Sequence, residues 1–391
     1  MRVRDLLKEV PVVPALLLTL LALGVLSGCG STYSNDAPDR TPVLWSLPLP
    51  GGSQPSGISD SLIVSTVNMQ EENKKKNGVL TFIDLDEREI IWQAEEGMGL
   101  IINQIMVSNG TNWFVNNDEL RRVEVYQNDG TLVRTFDYIL ADGVNQSGLS
   151  PVIVDNALYI SQGRGIYAFD ISEPDKLTLL WSTELDYATS SLSADATGVY
   201  AGLFDHPESL DVVRLDAATG EVVWTASSYT DTVYEARTPA SLALKDNALF
   251  VNTANTMQAF DTETGERLWL SEPLSCETDG PYPGYVQTLD DKDIYFTIGA
   301  CVMSVSQKDG KINWIMSALD SSKRFTFSAQ PLLHNGVLYT VNGYLWAIEA
   351  DTGKVLSRSQ KSDPSQFAYI HEYNNQIIVW GGNLLAYKPV R

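Results

Sequence analysis

The feature that most constrains the fold of this chain is a tryptophan that returns about every 44 residues. The tryptophans at this spacing are Trp92, Trp181, Trp224, Trp269 and Trp314, and Phe136 stands midway in the one gap of double length. Three of them, Trp224, Trp269 and Trp314, are the last residues of similar sequence motifs, such as Asp-Thr-Glu-Thr-Gly-Glu-Arg-Leu-Trp269. A fixed period of about 40–50 residues indicates a chain built from structural repeats. A repeat scaffold acts through its loops and rims, so functional residues are expected there.

Each repeat contains four short apolar runs separated by turn residues, which is the pattern of β-strands. In the repeat that follows Arg237, the runs are 239–244, 248–252, 257–260 and 267–270. Four strands in a repeat of this length fit one blade of a propeller. The sequence therefore predicts an all-β fold over residues 42–391, an eight-bladed β-propeller with four-stranded blades.

The count of eight depends on how the ring closes. Seven complete repeats cover 53–96, 100–140, 148–186, 190–230, 236–275, 284–320 and 327–363. The stretch 367–391 has room for only three strands, and 43–49 can supply the fourth, with Trp45 at the repeat position. Joining these segments in one blade closes the ring and removes exposed sheet edges. Seven blades is the alternative, because the second repeat is the least regular.

The Thr-Gly turn and the tryptophan have separate roles in a repeat. Gly220, Gly265 and Gly353 are expected to adopt positive φ in the last hairpin of their blades, where other residues would be strained. The tryptophan four residues later is expected on the outermost strand, where it covers the gap between neighbouring sheets. Ser357 stands where the seventh repeat should have its tryptophan.

Residues 1–28 have the features of a bacterial lipoprotein signal peptide. A positive start precedes an apolar stretch at 12–26, which is shorter than the roughly 20 residues of a membrane span. The stretch ends in Leu-Ser-Gly before Cys29, which predicts lipidation of Cys29 by acyl chains such as palmitate. Residues 29–41 are expected to form a flexible tether. The alternative is an ordinary signal peptide with a chance cysteine.

Lipidation of Cys29 predicts an extracytoplasmic protein that contacts the membrane through its anchor alone. The anchor would lie in the outer membrane, at its periplasmic face, or in the outer face of the cytoplasmic membrane. Two cysteines then remain, Cys276 and Cys301. An even pair in an oxidising compartment predicts a disulfide, and two buried free thiols are the alternative.

Charge and motifs argue against several kinds of function. The formal net charge is −22, and such a surface repels nucleic acid and anionic headgroups. The histidines, His206, His334 and His371, are scattered, and the sequence has no Cys/His cluster and no G-x-S-x-G motif. We therefore predict no catalytic residues, no metal and no cofactor.

The loops between repeats are more informative than the strands. In a propeller, the fourth-to-first and the second-to-third strand connections lie on one face. Three long connections carry tyrosine, arginine and phenylalanine, which are Tyr229, Tyr234, Arg237, Tyr282, Tyr285, Arg324 and Phe325. Tyrosine and arginine commonly anchor protein interfaces. We predict that this face binds another envelope protein, and the alternative is ordinary loop decoration.

The phrase Tyr167-Ala-Phe-Asp170 and its variants ending at Asp261 and Glu349 resemble the repeat of PQQ-type propellers. One branch of that family comprises quinoprotein dehydrogenases, which resemble larger chains with a vicinal cysteine pair and a calcium site. This sequence has no Cys-Cys pair. The other branch comprises BamB-type lipoproteins, and similarity to them implies an eight-bladed scaffold in outer-membrane-protein assembly. Their docking-loop pattern has its nearest, loose match at 234–239.

These observations favour a lipid-anchored, non-catalytic propeller that binds another envelope protein, as part of a membrane assembly machinery. A second interpretation is a small-ligand or carbohydrate sensor that uses the mouth of the central channel. A PQQ-dependent dehydrogenase is the third and the least favoured.

Overall fold

The computed structural model describes a chain made of strands and turns. The described residues are 41–49, 53–71, 74–97, 106–117, 122–137, 151–204, 211–227, 241–253, 256–274, 276, 285–317, 330–359, 369–380 and 383–391. Within these ranges there is no helix, and hence none with the length and apolar character needed to cross a membrane. The strands form eight separate four-stranded sheets, which confirms the predicted eight-bladed β-propeller.

The first strand of the chain, β1 (Val43–Pro48), belongs to the last blade. Blade 1 consists of β2 (Ser53–Ser59), β3 (Leu62–Glu71), β4 (Lys74–Asp84) and β5 (Glu89–Gly97). Blade 2 consists of β6 (Met106–Ser108), β7 (Asn112–Asn117), β8 (Arg122–Gln127) and β9 (Leu132–Asp137). Blade 3 consists of β10 (Val152–Val154), β11 (Ala157–Gln162), β12 (Gly165–Asp170) and β13 (Thr178–Glu184). Blade 4 consists of β14 (Ala188–Ala194), β15 (Gly198–Phe204), β16 (Asp211–Asp216) and β17 (Val222–Ser227).

The remaining blades follow the same antiparallel order. Blade 5 consists of β18 (Ser241–Lys245), β19 (Ala248–Asn252), β20 (Met257–Asp261) and β21 (Arg267–Leu270). Blade 6 consists of β22 (Tyr285–Leu289), β23 (Asp293–Ile298), β24 (Cys301–Ser306) and β25 (Ile312–Ser317). Blade 7 consists of β26 (Leu332–His334), β27 (Val337–Val341), β28 (Leu345–Glu349) and β29 (Val355–Arg358). Blade 8 contains β30 (Tyr369–Tyr373), β31 (Gln376–Trp380) and β32 (Asn383–Tyr387).

The fourth strand of blade 8 is β1, which pairs antiparallel with β32. Trp45 lies opposite Ala386 in this pairing, so it occupies the outermost strand of the closing blade. The predicted closure is therefore confirmed, and the ring is completed by two segments from opposite parts of the sequence.

The core lies between the blades, and most of its buried apolar side chains come from the second and third strands of the sheets. In one such cluster, Phe250 and Met257 of blade 5 pack with Ile294 and Phe296 of blade 6. The first strands of neighbouring blades contact one another, which places them around the central axis. The fourth strands consequently lie at the periphery.

Every outermost strand carries a break in register that the sequence did not reveal. One residue on each strand is skipped in the pairing with the third strand, as in a β-bulge. The skipped residues are Leu44, Ile91, Val133, Leu180, Val223, Leu268, Asn313 and Leu356. Leu180 and Leu268 are each 53% exposed. A bulge bends and twists an edge strand, which makes its pairing with another chain less favourable.

This register also corrects one assignment in the second repeat. Arg134 pairs with Val125 just after the skipped residue, so Arg134 and not Phe136 stands at the tryptophan position. Phe136 lies two residues further along the same strand. It still contacts the next blade, because its ring centroid is 4.9 Å from that of Phe169.

Candidate functional site

The second-to-third and the fourth-to-first connections leave the blades on one side of the ring, because successive strands alternate in direction. We call this side the loop face and the opposite side, which bears the other two sets of hairpins, the turn face. In the described residues, the loop face includes the hairpins at 163–164, 299–300 and 342–344 and the connection at 185–187.

Most of the predicted partner-binding residues lie outside the described residues. These are Tyr229, Tyr234, Arg237, Tyr282, Arg324 and Phe325, and the predicted lipidation site Cys29 lies outside them as well. Tyr285 is described and begins the innermost strand of blade 6, where it pairs with Thr297. The partner-binding site and the lipid anchor therefore stay predictions.

The predicted disulfide is present at the loop face. Cys276 and Cys301 are joined with an S–S distance of 2.05 Å and a Cα–Cα distance of 5.8 Å. Cys276 lies in the connection that leaves blade 5, and Cys301 opens the third strand of blade 6, where it is 2% exposed. The bond therefore holds that connection against the neighbouring blade, next to the buried Leu274 and Ile298.

A cluster of arginine and aromatic side chains lies on the loop face of blade 7. The guanidinium carbon of Arg358 is 4.5 Å from the ring centroid of Tyr344 and 5.3 Å from that of Trp346. Trp346 is 2% exposed, and its indole N–H donates to Asn342 Oδ1. A guanidinium held over two aromatic rings is an attractive cation–π arrangement. The position of Arg358 is thus fixed by the second-to-third hairpin of its own blade.

Sequence reasoning missed this cluster because its members come from three places in the repeat. Tyr344 follows Asn-Gly in the hairpin, and Arg358 ends the fourth strand. The sequence feature that could have revealed this cluster is the tyrosine in a second-to-third hairpin, because such hairpins lie on the same face as the longer connections.

A second polar cluster lies inside the wall between blades 1 and 2. The buried Glu124 carboxylate accepts hydrogen bonds from Arg122 Nε at 2.8 Å, the Tyr126 hydroxyl at 2.9 Å and Asn117 Nδ2 at 3.3 Å. Burial, and then the charge of Glu124, raise the pKa of Tyr126. The Glu124 carboxylate is hydrogen-bonded to all three neighbours, so this network stabilises the contact between blades 1 and 2 and leaves no free group that could act on a substrate.

The tryptophans of the repeat lie on the turn-face side of the junctions between blades, in the predicted positions on the outermost strands. Each of four indole N–H groups donates to a turn carbonyl of the following blade. The donors and acceptors are Trp181 and Ala217, Trp224 and Thr262, Trp269 and Gln307, and Trp314 and Ala350, at 2.8–3.0 Å. Trp92 also reaches the next blade, where its ring covers Gly130.

The turn glycines receive these rings. Gly220, Gly265 and Gly353 have φ of 72°, 73° and 70°, which confirms the predicted positive φ. A Cβ on Gly265 would lie 2.7 Å from Cδ2 of Trp224. Glycine is therefore required twice, for its backbone conformation and for the space that the indole occupies.

The junction between blades 8 and 1 is built differently. Trp45 donates its indole N–H to Gln376 Oε1 of its own blade, at 2.8 Å. Arg88, with φ of 57°, stands in the turn of blade 1 where blades 2, 4, 5, 6 and 7 have glycine. Its guanidinium carbon lies 5.1 Å from the Trp45 ring centroid. A cation–π contact replaces the covered glycine at this junction.

The junction between blades 7 and 8 lacks a tryptophan because it lacks a receiving turn. The third and fourth strands of blade 8 come from different parts of the chain, so no hairpin joins them. Ser357, at the tryptophan position, is hydrogen-bonded to Thr41 just before β1, at 2.6 Å between the hydroxyl oxygens. After β32, the backbone N–H of Val390 donates to the hydroxyl of Tyr339 in blade 7, at 2.8 Å.

In the described residues, no group of three or more His, Cys, Asp or Glu side chains has the arrangement of a metal site. A cavity of about 350 Å³ lies between the first strands of blades 6, 7 and 8. Its walls include Thr288, Leu289, Gln330, Leu332, Ile370 and His371.

The sequence profile of a protein family described as outer membrane protein assembly factor BamB matches residues 42–226 and 208–387. Together the two matches span the ring from β1 to β32. No protein with a curated description matches the chain in sequence.

Solved structures share the fold at low sequence identity. BamB from Moraxella catarrhalis is 14% identical, with a TM-score of 0.65 over 89% of this chain and 100% of that one. Sqt1 from Saccharomyces cerevisiae is 11% identical, with a TM-score of 0.68 over 90% of this chain and 100% of that one. Quinohemoprotein alcohol dehydrogenase from Comamonas testosteroni is 11% identical, with a TM-score of 0.66 over 93% of this chain and 79% of that one. At these identities the similarity shows the propeller fold alone.

Proposed function

The chain belongs to the family of the outer membrane protein assembly factor BamB, and from this premise we propose that it is a lipid-anchored, non-catalytic scaffold. In this proposal it acts in the cell envelope, outside the cytoplasm, and binds another envelope protein through its loop face. The family description suggests that the partner belongs to the machinery that assembles outer membrane proteins.

The observation that carries the proposal is the cluster of Tyr344, Trp346 and Arg358 on the loop face. Tyrosine, tryptophan and arginine supply most of the residues that dominate binding energy in protein interfaces. The guanidinium is held by two rings, so little side-chain entropy is lost when a partner packs on it. The three connections that carry the predicted residues start from the ends of β17, β21 and β25, which lie on this same face.

A quinone enzyme is the competing interpretation, because quinohemoprotein dehydrogenases share the fold. A quinone with several carboxylates needs cationic side chains in its binding site. No lysine or arginine lines the axial cavity among the described residues, and Cys276 and Cys301 are distant in sequence and bonded to each other. The described lining of this cavity therefore offers no cationic partner for the carboxylates of such a group.

The proposed anchor explains how the ring would be held at a membrane. Cys29 carries the lipid, and residues 29–41 form a tether with a root-mean-square reach of about 20 Å. The tether joins the ring at β1, beside the junction of blades 7 and 8. With a net charge of −22, the ring itself is repelled by anionic headgroups. The membrane therefore does not cover the loop face, and a protein partner can reach it.

Photo-crosslinking in native membranes tests the proposal. Crosslinking residues at positions 234, 282 and 324 are expected to capture one envelope protein, whereas position 263 on the turn face is expected to capture none. Arg358→Ala is expected to lower recovery of that protein about fivefold, the effect of a contact worth about 1 kcal/mol.

Arg214→Ala is the matched control, because the Arg214 guanidinium carbon lies 6.0 Å from the Tyr200 ring centroid on the turn face. Both variants lose an arginine–tyrosine contact, and only Arg358→Ala loses one on the loop face. Equal recovery of the partner by both variants, or capture from position 263 alone, would show that the loop face is not the binding site.

A further inference from the structure

The direction of β1 decides on which side of the ring the proposed tether enters. Val43 pairs with Tyr387 at the end of β32, and Pro48 pairs with Asn383 at its start. The third strand of a blade runs from the loop face to the turn face, so the antiparallel β1 begins at the turn face. The proposed tether, residues 29–41, therefore joins the ring at the turn-face edge of blade 8, on the periphery.

Exposed aliphatic side chains surround this point of entry. Val43 and Leu44 are each 49% exposed, and Val390 is 37% exposed. They adjoin one another, because Val43 lies opposite Tyr387 and Val390 follows three residues later in the chain. Single exposed apolar residues are normal on a protein surface, whereas a group of them marks a surface that contacts something else.

Three exposed cationic side chains accompany the aliphatic ones, and they are Lys354, Lys388 and Arg391. Arg391 pairs with Glu349 at 2.7 Å, in the turn of blade 7 that also carries Lys354. The other carboxylate of that turn, Asp351, pairs with Lys292 of blade 6 at 2.6 Å. On this flank of blade 8 the cations therefore outnumber the carboxylates, although the chain as a whole carries −22.

We infer that this group of residues, which we call the seam patch, rests on the phospholipid bilayer that holds the anchor. The seam patch consists of Val43, Leu44, Lys354, Lys388, Val390 and Arg391. The inference rests on the proposed lipid anchor and adds an orientation to it. The turn-face edge of blade 8 meets the membrane, its aliphatic side chains enter the headgroup region, and its cations pair with lipid phosphates. The loop face then points away from the bilayer, toward a protein partner.

The position of the tether is the reason to assign a membrane to this surface. A reach of about 20 Å keeps the seam patch close to the bilayer that holds Cys29. An attached group meets such a surface at high effective concentration, so a weak contact is enough to orient the ring. The sequence predicted contact through the anchor alone, and the seam patch adds a second point of contact.

Charge decides which way the ring leans on the bilayer. Screening limits the influence of a charge to about 8 Å at physiological ionic strength, so only the groups next to the headgroups matter. On the flank toward blade 1, the turn carries Asp84, Glu87 and Glu89 beside Arg88. This flank is acidic, so the ring leans toward blade 7, where the cations are.

Blade 4 lies opposite blade 8 in the ring and has the same exposed aliphatic residues without the other features. Val222 and Val223 are 49% and 48% exposed. Carboxylates stand beside them, since Asp216 and Glu221 belong to the turn that precedes their strand. Exposure alone therefore does not distinguish the seam patch, and blade 4 supplies matched control positions.

Spin labels on the full, lipid-anchored chain test the inference in phosphatidylcholine vesicles. Leu44→Cys and Val223→Cys each place a nitroxide on the skipped residue of an outermost strand, in blade 8 and in blade 4. Relative to the label at 223, the label at 44 is expected to be several-fold more accessible to oxygen, which concentrates in the bilayer. It is expected to be several-fold less accessible to a water-soluble nickel chelate.

Substitutions in the seam patch separate its two kinds of contact. Lys388→Glu is expected to lower the bilayer-bound fraction of the label at 44 about fivefold, the effect of one cation lost near a lipid surface. Val390→Asp is expected to lower it as well, by placing a charge in the headgroup region. Lys176→Glu in blade 3 and Val222→Asp in blade 4 are the controls and should leave it unchanged. All four positions are exposed, and melting temperatures equal to that of the parent confirm the fold.

Flotation with the vesicles separates failure of this inference from failure of the proposed anchor. A chain that does not float has no anchor, and the inference falls with it. If the chain floats but the labels at 44 and 223 respond alike, the seam patch does not touch the bilayer and the anchor stands. Equal effects of Lys388→Glu and Lys176→Glu would likewise overturn the inferred orientation.

Discussion

The four junctions between blades 3 and 7 differ from the seam where blade 8 meets its neighbours. At the regular junctions a tryptophan ring covers the turn glycine of the next blade, and its indole donates to a turn carbonyl. At the seam, Ser357 bonds to Thr41, and Trp45 lies beside Arg88. At the regular junctions the tryptophan is therefore matched to the turn that receives it, and at the junction of blades 7 and 8 both the turn and the tryptophan are absent.

The largest difference in stability between a regular junction and the seam is expected when the tryptophan itself is removed. Trp224→Ala removes a ring packed on Gly265 and a bond to Thr262, and should lower the free energy of unfolding by about 3–5 kcal/mol. Trp45→Ala should lower it by only about 2 kcal/mol, because its indole bonds within its own blade. Urea unfolding followed by circular dichroism measures both, and equal losses would contradict the comparison.

Gly265→Ala tests the receiving side of a regular junction. The added methyl group must adopt a left-handed backbone, which costs about 1 kcal/mol, and displace the ring of Trp224, so the total loss should be about 3 kcal/mol. Gly336→Ala is the matched control, since Gly336 has φ of 72° and nothing within 4 Å of the added carbon. It should lose about 1 kcal/mol. A difference near zero between the two melting curves would mean that the ring does not constrain Gly265.

Ser357→Trp restores the repeat pattern at the seam. If the tryptophan stabilised its own strand, this change would stabilise the protein. Because no turn of blade 8 receives the ring and Ser357 is 3% exposed beside Thr41, we expect a loss of about 2 kcal/mol from overpacking. The urea midpoint of the variant shows whether Ser357→Trp stabilises or destabilises the protein. A midpoint above that of the parent would refute the expected loss.

The smallest effect concerns the acidic residues that open the regular turns. Hydrogen bonds from Thr219, by its backbone N–H and its hydroxyl, and from Ala218 hold the pKa of Asp216 below its ordinary value. A folded-state pKa below the unfolded value of about 3.9 stabilises the protein above that pH, and the contribution is lost as pH falls through the folded pKa. Glu87 stands at the threonine position in the corresponding turn of blade 1.

Asp216→Asn should therefore have a smaller drop in melting temperature between pH 5 and pH 3 than the parent. Asp246→Asn changes the same charge in a first-hairpin turn and serves as the control. If the two variants follow identical pH curves, the hydrogen bonds to Asp216 contribute nothing specific to stability.

The sequence predicted the ring and its closure because both depend on the repeat of about 44 residues, which stays visible even where single residues of the motif are replaced. Trp45, Gly265 and the missing tryptophan at Ser357 could all be read from spacing alone. The bulges could not, because seven of the eight skipped residues are Leu, Ile or Val, and such residues also fill paired positions throughout the strands, so the residue type does not mark the skipped position. The shift from Phe136 to Arg134 has the same cause, because register depends on the pairing of two strands.

The candidate sites were less accessible to sequence reasoning than the fold. Tyr344 and Arg358 meet only because a hairpin and a strand end come together on the loop face. The seam patch joins Val43 to Val390, which are far apart in the sequence and meet only through the pairing of β1 with β32. The predicted residues of the long connections were chosen by composition, and they await a measurement.

Closure by β1 also fixes the order in which the ring is completed during synthesis. Thr41 and Ser357 are 316 residues apart, and β32 lies further on, so β1 is made early and must wait for its partner. At about 5–20 residues per second, that wait lasts tens of seconds. A chain interrupted before β32 has no strand to pair with β1, and its ring stays open with an exposed edge. Ring closure thus distinguishes a finished polypeptide from a truncated one.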